Sequence, residues 1–94
     1  MLFALICTDK PGHLEVRQKT RPAHLAYLES IVVKGAGPFT DEAGTPNGSL
    51  VIIEAKDMAE AKAIAARDPY AEAGLFSSVE IRAWKWLIKN PENA

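Results

Sequence analysis

The sequence predicts an α+β domain of ferredoxin-like type, an antiparallel sheet with two helices on one face, in the order β-α-β-β-α-β. Three observations predict it. The runs "LFALICTD", "SLVIIEA" and "SSVEIRAWKWLI" are short, apolar or alternating, and bounded by turn residues, which marks strands. Residues 14–34 and the stretch "DMAEAKAIAARD" carry apolar residues near helical spacing. Between the first helix and "SLVIIEA" lies "GAGPFTDEAGTPNGS", whose Gly, Pro, Asn and Asp leave room for one short strand around Ala36–Thr40 and then a turn.

The opening strand is apolar on both faces, with Leu2, Ala4 and Ile6 on one and Phe3, Leu5 and Cys7 on the other. Such a strand is expected to be buried on both sides. In the first helix Leu14, Leu25, Leu28, Ile31 and Val32 follow helical spacing, but Pro22 interrupts. Proline lacks the amide donor and clashes with the preceding turn. The helix is therefore expected to start near Thr20 or Arg21 with Pro22 in its first turn, and to stop at Gly35. Residues 11–19 become a loop or a short preceding helix. "SLVIIEA" is a strand by its β-branched run. Asp57 is the expected N-cap of the second helix, whose apolar face runs through Ala61, Ile64 and Ala65. Asp68 precedes Pro69 and is pushed out of the helical region, so the helix ends near Arg67. "PYAEAGLF" is then a loop or a short helical turn. In the last strand Val79, Ile81 and Ala83 alternate with Glu80, Arg82 and Trp84.

The chain of 94 residues has no internal repeat, linker or low-complexity tract, so residues 1–94 read as one domain. Its 48% apolar content is high for so small a core. Two helices cover one side of the sheet, and the second apolar face of the first strand needs cover as well. A homodimer packed sheet to sheet supplies it. The net charge is −1, from 11 basic and 12 acidic residues, without a basic block, so no nucleic-acid partner is expected. No basic amphipathic helix points to a membrane surface. "MLFALIC" is too short to span a bilayer and lacks the charged start of a signal peptide, so the expected location is cytoplasmic. The single Cys7 cannot form an intrachain disulfide or a multi-cysteine zinc site. His13 and His24 show no metal-ligand spacing, and neither GxGxxG nor a P-loop is present, so no metal and no cofactor are expected.

His24, in "RPAHLAYLES", sits one turn before Leu28 on the edge of the apolar stripe. It reads either as a partly buried structural histidine or as a general acid/base, since imidazole exchanges protons near neutral pH. Asp68 reads either as a helix-terminal residue or as the carboxylate that orients His24 and fixes its tautomer. Arg17 and Arg21 flank the expected helix start. A solvated basic turn is the plainer reading for them, a clamp on a carboxylate or an oxygen the functional one. Gly37 before Pro38 makes a turn or lets a ligand approach the backbone. Tyr70 and Phe76 are core or pocket wall. Trp84 and Trp86 stand on one face of the last strand, at a dimer interface or a pocket rim. Cys7 is a small buried hydrophobe.

Taken together, "RPAHLAYLES", "GAGPF" and "ARDPYAEAGLF" resemble the YCII-related, or YciI-like, family, and the resemblance runs from "MLFALICTDKPG" through "SVEIRAWK". It implies a dimeric α/β-barrel of ferredoxin-like subunits. It also implies a pocket with a histidine and an aspartate as active-site pair, which would be His24 and Asp68 here. Related barrels include enzymes acting on lactones and chlorinated hydroxyquinols. Family members often carry a longer insertion before the third strand, where this chain has the compact "TDEAGTPNGS".

Two functional readings follow. In the first, a small enzyme of lyase, isomerase or dehydrochlorinase type uses His24 to shuttle a proton and Asp68 to hold it. Arg21 and the Gly37–Pro38 segment then stabilise an enolate-like oxygen, and Tyr70 lines the pocket. In the second, the dimer binds or senses a small aromatic or acidic metabolite without converting it. A dimer that serves only as structural partner of another protein is the weaker third reading.

Overall fold

The computed structural model describes residues 1–93. In chain order they form β1 (Leu2–Asp9), α1 (Leu14–Glu29), β2 (Val33–Thr40), β3 (Pro46–Glu54), α2 (Met58–Ala66), α3 (Pro69–Glu72) and β4 (Phe76–Trp84), followed by a turn of 3-10 helix at Pro91–Asn93. The strands make one four-stranded sheet in the order β2-β3-β1-β4. All its pairings are antiparallel. This is the ferredoxin-like arrangement that the strand and helix pattern predicts.

Residues paired across neighbouring strands share a face, so the register states what meets what. Phe3 lies opposite Ile53 and Ala83, and Leu5 opposite Val51 and Ile81. This face carries the helices. Its core is Phe3, Leu5, Cys7, Val51 and Ile53 with Ala55 and Ala61, and Leu28, Ile64 and Ala65 pack onto it from α1 and α2. The other face presents Leu2, Ala4 and Ile6 of β1 beside Leu50 and Ile52 of β3, all of them only half-buried. The first strand is thus fully buried on one side alone. The reason is architectural: every helix that packs on the core does so from one side of the sheet.

Strands β2 and β3 begin earlier than expected, at Val33 and Pro46, and three boundaries differ more widely from the sequence expectation. First, α1 starts at Leu14, and Pro22 lies in its middle rather than in its first turn. A proline inside a helix costs about 3 kcal/mol. Pro22 is solvent-exposed, as is Gln18 one turn earlier, so the carbonyl left without a partner can be hydrated. The preceding turns are held by the buried side chain of Arg17. Tertiary anchoring therefore outweighs the local break. Second, α1 ends at Glu29, and Gly35 lies inside β2 instead of closing the helix. The β-branched run Ile31–Val32–Val33 favours leaving the helix early. Third, β4 ends at Trp84, so Trp86 is not on its face; the two indole rings adjoin at 5.7 Å beyond the strand end. Leu25, expected to point inward, is 42% exposed.

The second helix follows its sequence signals. Asp57 caps it by accepting from the Glu60 amide at 2.8 Å, and the helix stops one residue before Arg67. Gly48 marks a point of close backbone approach in the sheet. A Cβ there would stand 2.5 Å from the Cys7 carbonyl oxygen, which is backbone and cannot swing away. Gly48→Ala is expected to cost about 1–3 kcal/mol of stability. Urea unfolding checks this, and an unchanged midpoint would contradict it.

Candidate active site

Asp68 is where local chain stiffness creates a functional geometry. Pro69 holds it in an extended conformation, with φ −60° and ψ 129°. The same conformation makes it the N-cap of α3, its Oδ1 accepting from the Tyr70 amide at 2.9 Å. Both carboxylate oxygens lie 2.9 Å from Nδ1 of His24 on α1. A carboxylate only accepts, so Nδ1 carries the proton and donates. The Nε2 atom has no hydrogen-bond partner among the described residues. Among the described residues no buried side-chain nitrogen or oxygen is sealed off without one, so Nε2 is open to the pocket. The imidazole stacks on the Tyr70 ring at a centroid distance of 4.0 Å and an angle of 17°. Phe76 meets Tyr70 edge to face at 6.0 Å and braces it. His24, Asp68 and Tyr70 are all buried.

A second polar cluster adjoins the first. The Arg17 guanidinium forks onto Asp9 at the end of β1, through Nε at 2.7 Å and Nη2 at 2.8 Å. Its Nη2 also donates to Ser49 Oγ on β3 at 2.8 Å. The guanidinium carbon stands 4.7 Å from the Tyr70 ring centre. Burial works against the charge on Arg17, but its hydrogen bonds and charge pairing with Asp9 outweigh that and raise its pKa. It is a permanent cation. Burial also raises the Tyr70 hydroxyl, partly offset by the charges of Arg17 and Arg21. Burial, with the charge of Asp68 behind it, pushes the Cys7 thiol up to about 12. Cys7 is therefore a neutral thiol at physiological pH and no nucleophile.

These groups face a pocket of about 220 Å³ between α1 and the β2–β3 edge of the sheet. His24 and Tyr70 lie beside Arg17, Arg21 and Ser49 in its wall. Leu14, Leu25 and Leu28 supply apolar surface from α1, and Gly37 and Pro38 close the side formed by β2. Of the residues singled out in the sequence, His24, Arg21, Gly37, Pro38 and Tyr70 all line this pocket, while Asp68 stands behind His24 and does not. Arg21 is solvent-exposed at the mouth. Arg17 is no solvated turn residue, since it is 6% exposed. Asp9 and Ser49 escaped sequence reading altogether. Arg17, Arg21, His24 and Leu28 follow one another at steps of four, three and four along α1, one helical stripe. An expected helix start near Thr20 or Arg21, with Pro22 in its first turn, hid it. The position of Ser49 opposite Cys7 in the sheet register has no sequence signal. Among the described residues no group of three or more metal-ligating side chains comes together.

Fold and pocket define a small ferredoxin-like α+β protein with a buried histidine–aspartate pair at the edge of an apolar cleft. The chain belongs to the YCII-related domain family, whose profile matches residues 1–85. It is 36% identical over 95 residues to the Protein YciI of Escherichia coli O6:H1, covering 90% of this chain and 97% of that protein. A protein of Haemophilus influenzae is 34% identical over 96 residues, with the same coverage. Among solved structures, 5-chloro-2-hydroxyhydroquinone dehydrochlorinase (TftG) from Burkholderia phenoliruptrix AC1100, in complex with 2,5-dihydroxybenzoquinone, superposes with a TM-score of 0.83 at 35% identity, covering 90% of this chain and 94% of that one. A NIPSNAP domain protein from Burkholderia xenovorans shares the fold at a TM-score of 0.56 and 17% identity.

Proposed function

We propose that this protein is an acid/base enzyme of lyase, isomerase or dehydrochlorinase type, acting on a small ring or acidic metabolite. The observation that carries the reading is the His24 imidazole, held through Nδ1 by Asp68 with Nε2 open to the pocket. In this arrangement Nε2 takes a proton from the bound substrate. The electron pair left behind either forms a π bond and expels a leaving group, or moves within the ring until Nε2 returns the proton elsewhere. Asp68 is a positioning residue: it fixes the tautomer and balances the imidazolium that forms. Tyr70 keeps the ring flat against its own. Arg21 brings a cation to the mouth. The dehydrochlorinase with a related fold supports an elimination of this kind.

The test is a turnover screen of chlorinated hydroxyquinols, single-ring lactones and small ring acids with wild type and His24→Gln. Proton transfer by a positioned side chain contributes about 10²–10⁴-fold, so His24→Gln is expected to lose turnover by that factor with binding largely kept. A variant that changes affinity alone would establish the binding-protein reading instead.

The same reading includes a homodimer and a cytoplasmic location. The half-buried face of Leu2, Ala4, Ile6, Leu50 and Ile52 supports sheet-to-sheet pairing. A lone buried thiol at Cys7 suits a reducing compartment. Light scattering at micromolar concentration is expected to give twice the chain mass of 10.2 kDa, and a monomeric mass would refute the dimer.

A further inference from the structure

Arg17 is a buried cation whose donors are not all used. Its Nε and Nη2 are committed to Asp9 and Ser49, and the Tyr70 hydroxyl stands as a further side-chain partner of the guanidinium, while Nη1 makes no close hydrogen bond among the described residues and is not sealed from solvent. Ser49 accepts from Arg17 through Oγ, and its own hydroxyl proton has no acceptor among the described residues. Both residues line the pocket, and Arg17 Nη2 meets Ser49 Oγ at 2.8 Å, which sets the guanidinium edge beside the hydroxyl. Among the described residues no carboxylate lines the pocket: Asp9 and Asp68 are both turned to their own partners.

From this we infer that Arg17 and Ser49 form an oxyanion-binding pair, and that the ligand is a single-ring monoanion, a carboxylate or an ionised ring hydroxyl. The inference rests on the pocket assigned above and names its ligand class. The cation is fixed in advance, because a bidentate carboxylate holds the guanidinium plane and no side-chain ordering remains for the ligand to drive. An apolar cavity of about 150 Å³ takes up benzene, so 220 Å³ has room for one substituted ring. Leu14, Leu28 and Val51 provide the apolar contact for the ring. Arg21, exposed at the mouth, draws the anion in, and its removal is felt at low salt more than at high.

Benzoate and its neutral isostere benzamide test this by calorimetry or by amide shifts in NMR. Benzoate is expected to bind once per chain and benzamide at least tenfold more weakly, since hydrogen bonds to a charged partner are the stronger ones. Arg17 also supports the fold, so Ser49→Ala is the informative variant. It is expected to weaken benzoate roughly tenfold and leave benzamide unchanged. His24→Gln is expected to keep benzoate binding within about threefold, because the anion does not sit on the imidazole. Equal binding of the two probes, or no benzoate binding at millimolar concentration, would overturn the inference. Loss of benzoate in His24→Gln with retention in Ser49→Ala would overturn it too, while leaving the acid/base reading intact. Conversely, benzoate behaviour as expected alongside full turnover in His24→Gln would sink the acid/base reading and leave the oxyanion pair standing.

Discussion

Arg17→Met is expected to remove about 3–5 kcal/mol of stability, the typical cost of breaking a buried ion pair from one side. The side chains of Arg17 and Asp9 are 7% and 6% exposed, and both guanidinium hydrogen bonds to Asp9 are short. Methionine matches the stem of arginine but leaves the Asp9 carboxylate dry and uncompensated. Ser49 loses its donor at the same time. Because small domains are stable by only about 5–15 kcal/mol, such a loss is a large fraction of the whole. The double variant Asp9→Asn with Arg17→Met removes the orphan charge and is expected to recover part of the loss. Urea unfolding of the two variants at pH 7 checks both statements. A loss below about 1 kcal/mol in the single variant would show that the pair is no more than a surface salt bridge. The start of α1 should also loosen, since Arg17 anchors the turns before Pro22. Faster amide exchange over residues 14–21 would register it.

Asp68→Asn is expected to lower turnover by about 10²–10⁴-fold while leaving the fold in place. Asparagine retains an oxygen that can accept from the Tyr70 amide, so the cap on α3 survives. What changes is the partner of His24. Two carboxylate oxygens at 2.9 Å hold the proton on Nδ1 and leave the Nε2 lone pair for chemistry. An amide offers donors as well as an acceptor, so it can stabilise either tautomer, and it cannot balance an imidazolium. Ring-nitrogen chemical shifts of His24 report this directly: one tautomer dominates in wild type and a mixture arises in the variant. Unchanged shifts and unchanged turnover would return His24 to a structural role. Asp68→Ala is less informative, because it removes the cap together with the charge.

The sequence carried much of this protein openly. Strand β1, with Phe3, Leu5 and Cys7 alternating with Leu2, Ala4 and Ile6, and helix α2, with Asp57 before it and Asp68–Pro69 after it, are legible because their signals are local. Hydrophobic period, capping chemistry and proline stiffness act within a few residues. His24 and Asp68 each stood at a local irregularity, but it was the resemblance carried by "RPAH" and "DPY" that joined them as a pair. The course of α1 through Pro22 was not legible. Its local cost is met by contacts to residues far away in the chain, above all Asp9 and Ser49. The early end of α1 at Glu29 has a local cue in the β-branched Ile31–Val32–Val33, but the pairing of Val33 with Ile53 that fixes where β2 begins has none.

By itself, then, the sequence determined the order of elements and the core-facing side of β1 and α2, and its resemblance to the family pointed to His24 and Asp68 as a pair. Only the tertiary structure decided that Arg17 is buried rather than solvated, that Ser49 stands beside it, and that Asp68 lies behind His24 rather than in the pocket wall. The physical reason is the range of the forces involved. Helix and strand preferences are summed over neighbours along the chain. A buried charge is tolerated only where partners from other elements arrive in the right geometry, and that is settled by the packing of α1 against the register of β1 and β3.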